Sequence, residues 1–331
     1  MRGPDMAGDT LAPDALGPTI CAGEILVEIV ATTIGDGFRA AQPLSGPYPS
    51  GAPAIFIDQC GRMGGSAAMI GAVGADDFGA VNLDRLTGDG VDVSGIATDP
   101  VYPTGSAFVR YRRDGSRDFV FNITTSAAAR FGLSESVRDL IGRAGHLHVM
   151  GTALSMPAAC EVIEYTAPII KARGGSISVD PNLRKELVRD AGTEALFARL
   201  IGMADLLLPS GEELERAAGV SGQDAALSRL FGMGVREIAL KQGAGGATVF
   251  TPDAAPIHAP GFSVREIDPT GAGDCFGGAY LACRRLGLSI AEALRYANAA
   301  GARNVTVVGP MEGAGTRAEL DAFIAEHGGA A

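Results

Sequence analysis

Apolar positions along the chain cluster into short runs, separated by longer stretches of mixed polarity. The runs EILVEIV (Glu24 to Val30), AAMIGAV (Ala67 to Val73), HLHVM (His146 to Met150) and SISVD (Ser176 to Asp180) read as strands. DLLL (Asp205 to Leu208), REIAL (Arg236 to Leu240) and ATVF (Ala247 to Phe250) continue the series. Between them, Met156 to Ala172, Thr193 to Gly202 and Gly211 to Ala218 are of helical length. Apolar strands interleaved with helices predict an α/β fold with a mostly parallel sheet. Helices flank such a sheet because parallel strands are joined by crossovers that cover both faces.

One region breaks this rhythm. SAFVRYR (Ser106 to Arg112) and RDFVFN (Arg117 to Asn122) flank Asp114-Gly115, a signal for a two-residue hairpin turn. Antiparallel strands inside an α/β chain predict a small β sheet attached to the main domain. The segment Thr32 to Ser50, with three prolines and a glycine near its end, is expected to supply its other strands. The geometry resembles a lid, formed from about 32–50 and 103–123. Exposed strand edges invite pairing, so a homodimer through the lid is a natural partner arrangement.

Composition narrows the class. The chain has 331 residues, 47% of them hydrophobic and 20% charged, enough for a large buried core. No stretch reaches the roughly 18 apolar residues of a transmembrane helix, so no membrane role is expected. Residues 1–20 are rich in Pro, Gly and Asp and lack a signal-peptide apolar region. They read as a flexible N-terminal tail on a cytoplasmic protein, leaving 21–331 as the folded domain. A formal charge of −11 argues against nucleic-acid binding. The five cysteines (21, 60, 160, 275 and 283) form no C-x-x-C pair and have no His at zinc spacing. Buried thiols rather than a structural metal are expected.

Candidate chemistry concentrates in DPTGAGDCFGGAY, residues 268 to 280. After the turn at Asp268-Pro269 the pattern predicts a helix from about Gly273 to Arg285. A helix start offers unpaired N–H groups and a positive dipole end, suited to an anion. Small side chains at Gly271, Ala272 and Gly273 would let a phosphate reach those groups. Asp274, in the first turn, could orient a hydroxyl and accept its proton as it attacks phosphorus. Taken alone, the aspartate reads first as a helix-start carboxylate favoured by the dipole. Phe276 occupies the third glycine's place of a dinucleotide fingerprint, and no Gly-Lys-Ser/Thr occurs, which excludes a P-loop.

The run DPTGAGDCFGGAYL, Asp268 to Leu281, resembles the C-terminal signature of the PfkB (ribokinase-like) carbohydrate kinase family. The resemblance extends over most of the chain. GEILVE (Gly23 to Glu28) resembles the family's first strand, SGAPA (Ser50 to Ala54) its Gly-rich sugar loop, and IGAVGADDFG (Ile70 to Gly79) its second strand and turn. DPNLR (Asp180 to Arg184) resembles the floor of the family's cleft. PSGEE (Pro209 to Glu213) resembles the Asn-x-x-Glu element, and KQGAGG (Lys241 to Gly246) the turn beside the nucleotide.

The resemblance implies a ribokinase-like fold and an ATP-dependent, Mg2+-requiring kinase that phosphorylates a primary hydroxyl of a small sugar. The lid would close over the sugar and exclude water. A monovalent cation requirement stays open. Carried over by position, Asp274 is the base and Gly271, Ala272 and Gly273 form the anion hole. Glu28, Gly51 and Arg184 hold the sugar, and Glu213 serves the magnesium network. Lys241, Gly243 and Gly246 line the nucleotide, with Asn298 near its base. Arg117 could reach the sugar or a phosphate; a solvated strand arginine is the alternative.

Two positions depart from the family pattern. Ile55 stands where a sugar-binding Asn is usual; either Asp58 or Gln59, one helical turn on, could supply the polar group that isoleucine does not, or Ile55 could pack against an apolar edge of a different sugar. Ser210 replaces the Asn of Asn-x-x-Glu, while Glu213 is retained. The loop GAPAIFIDQ is most like fructokinase and tagatose kinase branches, which favours a ketohexose such as fructose or tagatose. Glu28 in place of Asp is shared with 2-keto-3-deoxygluconate kinases, so that sugar acid is the alternative substrate. A catalytically weak sugar-binding regulator is a third reading, disfavoured by the intact Asp274.

Overall fold

The computed structural model describes residues 11–35, 37–114, 116–182 and 191–328. Its strands, in chain order, are β1 (Thr19–Ala22), β2 (Leu26–Ala31), β3 (Leu44–Ser50), β4 (Ala67–Gly74), β5 (Val91–Asp99), β6 (Gly105–Tyr111) and β7 (Arg117–Asn122). They continue with β8 (His146–Met150), β9 (Ser176–Asp180), β10 (Leu206–Leu207), β11 (Glu237–Lys241), β12 (Ala247–Thr251) and β13 (Ala254–Ala259). The helices are α1 (Ala52–Arg62), α2 (Asp77–Gly88), α3 (Glu135–Arg143), α4 (Pro157–Ala172) and α5 (Ala191–Ile201). After them come α6 (Glu213–Ala218), α7 (Gln223–Gly232), α8 (Ala272–Arg285), α9 (Ile290–Asn304) and α10 (Arg317–His327).

A nine-stranded sheet runs in the order β13-β12-β11-β10-β9-β8-β1-β4-β5. It is parallel except where β12 turns back on β11 and β13 on β12. Alternation along each strand feeds two cores. Ile20 and Ala22 of β1 face one with α3, α4 and α5, while Cys21 faces the other with α1, α8, α9 and α10. Both faces are therefore covered, as the apolar runs require. Local signals set several helix starts: Pro53 lies in the first turn of α1, and Ser289/Glu292 and Thr316/Glu319 make capping boxes at α9 and α10.

The second sheet has four strands, ordered β3-β2-β6-β7. Its outer pairs are antiparallel, as the hairpin pattern predicts, and its central pair β2–β6 is parallel. This changes the reading of EILVEIV. The first strand of the large sheet is the shorter TICA segment, and Leu26–Ala31 crosses to the small sheet. Gly23 marks the crossing, because a Cβ there would lie 2.6 Å from Pro53 Cγ and 2.9 Å from Ala153 Cβ. The small sheet thus begins before residue 32.

The expected tail is also corrected. Residues 1–10 lie outside the described part, but Leu11 and Ala12 are buried and β1 starts at Thr19. The buried guanidinium of Arg285 holds this segment, donating to the carbonyls of Ala12 (3.0 Å), Pro13 (3.1 Å) and Gly17 (2.8 Å) and to Thr19 Oγ1 (2.6 Å). Proline and glycine here serve a fixed path along α8 and not a loose one. Four of the five cysteines are buried free thiols, and Cys160 is partly exposed. Among the described residues no helix is long and apolar enough to cross a membrane.

Candidate active site

Between the two sheets lies a cavity of about 770 Å³. Its floor is the C-terminal edge of the large sheet, where β1, β8, β9 and β11 end, the place where open α/β sheets bind ligands. The helix starts of α1 and α8 point into it, and the β6–β7 face of the small sheet roofs it.

The α8 start opens its backbone to the cavity. Gly271 adopts φ +81°, and a Cβ there would sit 2.3 Å from the Pro310 carbonyl oxygen, so the turn requires glycine. The first intrahelical bond runs from Cys275 N–H to Gly271 O (2.8 Å), so the N–H of Gly273 precedes the helical ladder. Gly273 is part of the cavity wall, and among the described residues outside its own helical turn a Cβ on it would meet only Lys241 Nζ, at 3.7 Å. Asp274 lines the same wall. The preceding loop is pinned by Asp268, which is 1% exposed and accepts from Thr270 N–H (2.9 Å), Gly309 N–H (3.0 Å) and the Tyr111 hydroxyl (2.5 Å). Arg117 of β7 donates to Thr270 Oγ1 at 2.8 Å. Both strands of the hairpin therefore bond directly to the loop before α8.

Beside Gly273, Lys241 at the end of β11 pairs with Asp180 at the end of β9, Nζ to Oδ2 2.6 Å. Burial pushes the Asp180 carboxyl up to about 6, although Lys241 pulls it down. For Lys241 burial works against the charge, yet Asp180 and Glu213 hold its pKa above the ordinary lysine value. Glu213 accepts from the backbone N–H (2.7 Å) and hydroxyl (2.8 Å) of Ser210 through one oxygen. Serine in place of asparagine thus keeps this carboxylate oriented.

Across the cavity the wall is acidic and hydroxylated. Glu24 and Glu28 are both buried, and Thr152 donates to Glu24 Oε1 at 2.6 Å. Gly51, at φ +110°, lets the start of α1 press against this wall, since a Cβ would meet the Glu24 carbonyl oxygen at 2.3 Å. Ile55 adds an apolar patch. From the roof come Arg117, Phe119 and Phe121, at alternate positions of one strand. The two rings stack at 5.1 Å and Arg117 lies 5.5 Å over Phe119.

The structure thus brings Asp274, Gly271, Gly273, Glu28, Gly51, Arg117, Lys241, Gly243 and Glu213 to one cavity. Arg184 lies outside the described residues. Ala272, Gly246 and Asn298 do not line the cavity. Gly246 is a packing glycine, its would-be Cβ 2.1 Å from the Ala259 carbonyl oxygen. The Asn298 side chain donates to the carbonyls of Ala259 (3.0 Å) and Pro260 (3.1 Å), holding the chain beyond β13. Asp58 is a clear correction. It is fully buried against Arg85 of α2 (3.1 Å), with burial pushing its carboxyl up to about 7. Because α1 points its start at the cavity, three residues on is about 4.5 Å deeper into the protein. Gln59 is likewise taken, exchanging two hydrogen bonds with the Gly315 backbone (2.8 and 3.0 Å). Neither side chain stands in for an asparagine at position 55.

Sequence reasoning missed Glu24, Thr152, Asp180 as the lysine's partner, and the Phe119/Phe121 pair. Only the last had a usable signal, the two-residue period of RDFVFN that puts both rings on the face of Arg117.

Known proteins share this chain's pattern. The profile of the pfkB family carbohydrate kinases matches residues 46–317. Fructokinase-1 of Zea mays is 32% identical over 312 residues, covering 90% of this chain and 94% of that protein. A protein of E. coli called ribokinase II, solved in complex with ATP and Mg2+, superposes with a TM-score of 0.88 at 41% identity, covering 94% of this chain and 100% of that one. A fructokinase double mutant from Vibrio cholerae O395, bound to fructose, ADP and potassium, gives 0.77 at 30% identity, covering 92% and 98%. The chain belongs to the pfkB family of carbohydrate kinases.

Proposed function

We propose that this chain is a cytoplasmic, ATP-dependent ketohexose kinase that phosphorylates a primary hydroxyl of fructose or tagatose. The observation that carries the reading is the juxtaposition, in one cavity, of Asp274 at an anion-ready helix start and a recess walled by Glu24, Glu28 and Thr152. Hydroxyls of a neutral sugar donate to those carboxylates, whereas a sugar acid's carboxylate would be repelled by them. The fructokinases among its relatives support the same sugar class.

The residues present fit a nucleotide and its metal. Gly273 leaves backbone open toward the cavity, with the Lys241 ammonium beside it. Among the described residues no three His, Cys, Asp or Glu side chains gather into a protein-only metal cage. That suits Mg2+, which is commonly held by one or two carboxylates together with substrate phosphates. Glu213 would be the carboxylate that holds its waters, and the charge the ion would supply there is the kind that offsets negative charge developing on a transferring phosphoryl group. Asp274 then orients the sugar hydroxyl and takes its proton, while Gly243 borders the nucleotide. The small sheet acts as a lid, and Phe119 and Phe121 present an apolar surface to the sugar ring. Its edge strands β3 and β7 expose Leu44 and Val120, which supports a homodimer through the lid.

The test is ADP release across ketoses, aldoses, sugar acids and nucleosides. Fructose or tagatose is expected to give the highest kcat/KM. A tenfold preference for 2-keto-3-deoxygluconate, about 1.4 kcal/mol at the transition state, would overturn the ketohexose assignment and leave the kinase intact.

A further inference from the structure

We propose that Lys241 is a catalytic residue whose ammonium touches the phosphoryl group during transfer, and that Asp180 is its positioning carboxylate. The inference deepens the sugar-kinase reading and rests on it. The chain has three lysines, and this one sits at the C-terminal end of β11 with its side chain only 12% exposed. Outside the glycine's own stretch of helix, its Nζ is the one heavy atom among the described residues within 4 Å of the position a Cβ on Gly273 would take, so it borders the open backbone there. Asp180, fully buried one strand beyond β10, binds that Nζ at 2.6 Å. A buried carboxylate costs stability where it stands, even when paired with one cation. Its placement is explained if it aims the ammonium along the wall between Glu213 and Asp274, the two further acids that act on Lys241.

That wall is where charge moves. Asp274 accepts the proton of the sugar hydroxyl as the sugar oxygen bonds to phosphorus. The bond from phosphorus to the bridging oxygen breaks, and the departing diphosphate keeps the electron pair. Lys241 faces the oxygens of the group in flight, and a compact ammonium stabilises their charge where water is thinned.

The experiment uses the purified full chain and two readouts. Lys241→Met should lower kcat about 100-fold, the scale of a lost charge-stabilising donor, with sugar KM changed less than about threefold. Equilibrium titration should show affinity for a non-hydrolysable ATP analogue falling about tenfold, against less than about threefold for ADP. Because Lys241→Met leaves Asp180 buried without its cation, the Lys241→Met/Asp180→Asn double variant is measured too. It should fold and match Lys241→Met, since the two residues act as a unit. Equal losses for ADP and the analogue, or wild-type discrimination in the double variant, would overturn the proposal. A wild type that releases ADP with no sugar would sink the kinase reading, and the nucleotide titration would still decide the place of Lys241.

Discussion

Replacing Tyr111 with phenylalanine removes one oxygen and tests whether the small sheet is latched to the anion loop. Tyr111 lies at the end of β6, and its hydroxyl donates to Asp268 Oδ1 at 2.5 Å. Burial, and then the hydrogen bond to Asp268, raise the phenol's pKa above the ordinary tyrosine value, so it stays a donor throughout the working range. Asp268 keeps its bonds to Thr270 and Gly309 in the variant, so the loop itself should stand. The substitution removes a hydrogen bond to a charged acceptor, worth about 1.5–3 kcal/mol. At 1.4 kcal/mol per decade, the closed population relative to the open one should fall by roughly 10- to 100-fold. The other latch, Arg117 to Thr270, is exposed and offsets little of that. The expected result is a sugar KM raised about tenfold or more with the ATP KM nearly unchanged, and faster hydrogen exchange in β6 and β7 with sugar bound. If exchange and KM both match wild type, the hydrogen bond does not govern closure.

Asp274→Asn should leave nucleotide and sugar binding intact and lower kcat about 100-fold or more, the scale of a lost general base; near wild-type turnover would remove Asp274 from the mechanism. The acid limb of stability follows from four buried groups. His146 and His148 are pushed well below 6.5, by burial first, so below that pH the unfolded chain binds protons that the folded one refuses, a loss of about 1.4 kcal/mol per histidine per pH unit. Asp58 and Asp180, raised by burial from 3.8 to about 7 and about 6, act oppositely: the folded state takes up their protons first, a gain that accrues as pH falls to 3.8. Urea melts should therefore vary weakly down to about pH 4 and steepen below it; a steady loss beginning at pH 6.5 would show that the carboxylates do not compensate.

Much of the fold was legible because burial on both faces leaves an uninterrupted apolar run, as in AAMIGAV and SISVD. The exceptions have physical causes. TICA is four residues long and follows a proline, too short to outweigh the richer EILVEIV beside it. Leu206–Leu207 pairs through two residues only, so its run overstates the strand. The parallel pairing of β2 with β6 joins segments far apart in sequence, and no local pattern encodes it. The segment before β1 looked loose because its order comes from Arg285, a partner far along the chain. Two glycines at the cavity were legible because backbone geometry leaves its mark in sequence: Gly271, before α8, needs a positive φ, and Gly51, before α1, a close approach.

Side-chain partners leave no such mark, and two aspartates make the difference plain. Asp58 and Asp180 are both fully buried carboxylates paired with a single cationic side chain, and each is raised by burial. Sequence spacing put Asp58 beside the sugar and left Asp180 as one letter of a motif. The structure reverses their parts, because the deciding variable is the direction of the supporting element. Asp58 sits on a helix running away from the cavity, so its charge meets Arg85, which also bonds the Met311 carbonyl (2.7 Å) and so ties α2 to the loop beside Gly271. Asp180 ends a strand that runs toward the cavity, and the next strand end but one carries Lys241. In a parallel sheet every strand delivers its last residue to the same edge, so ionic partners on neighbouring strand ends meet at the ligand site. Helix spacing, which counts residues on one face, cannot say whether that face leads toward the ligand or away from it.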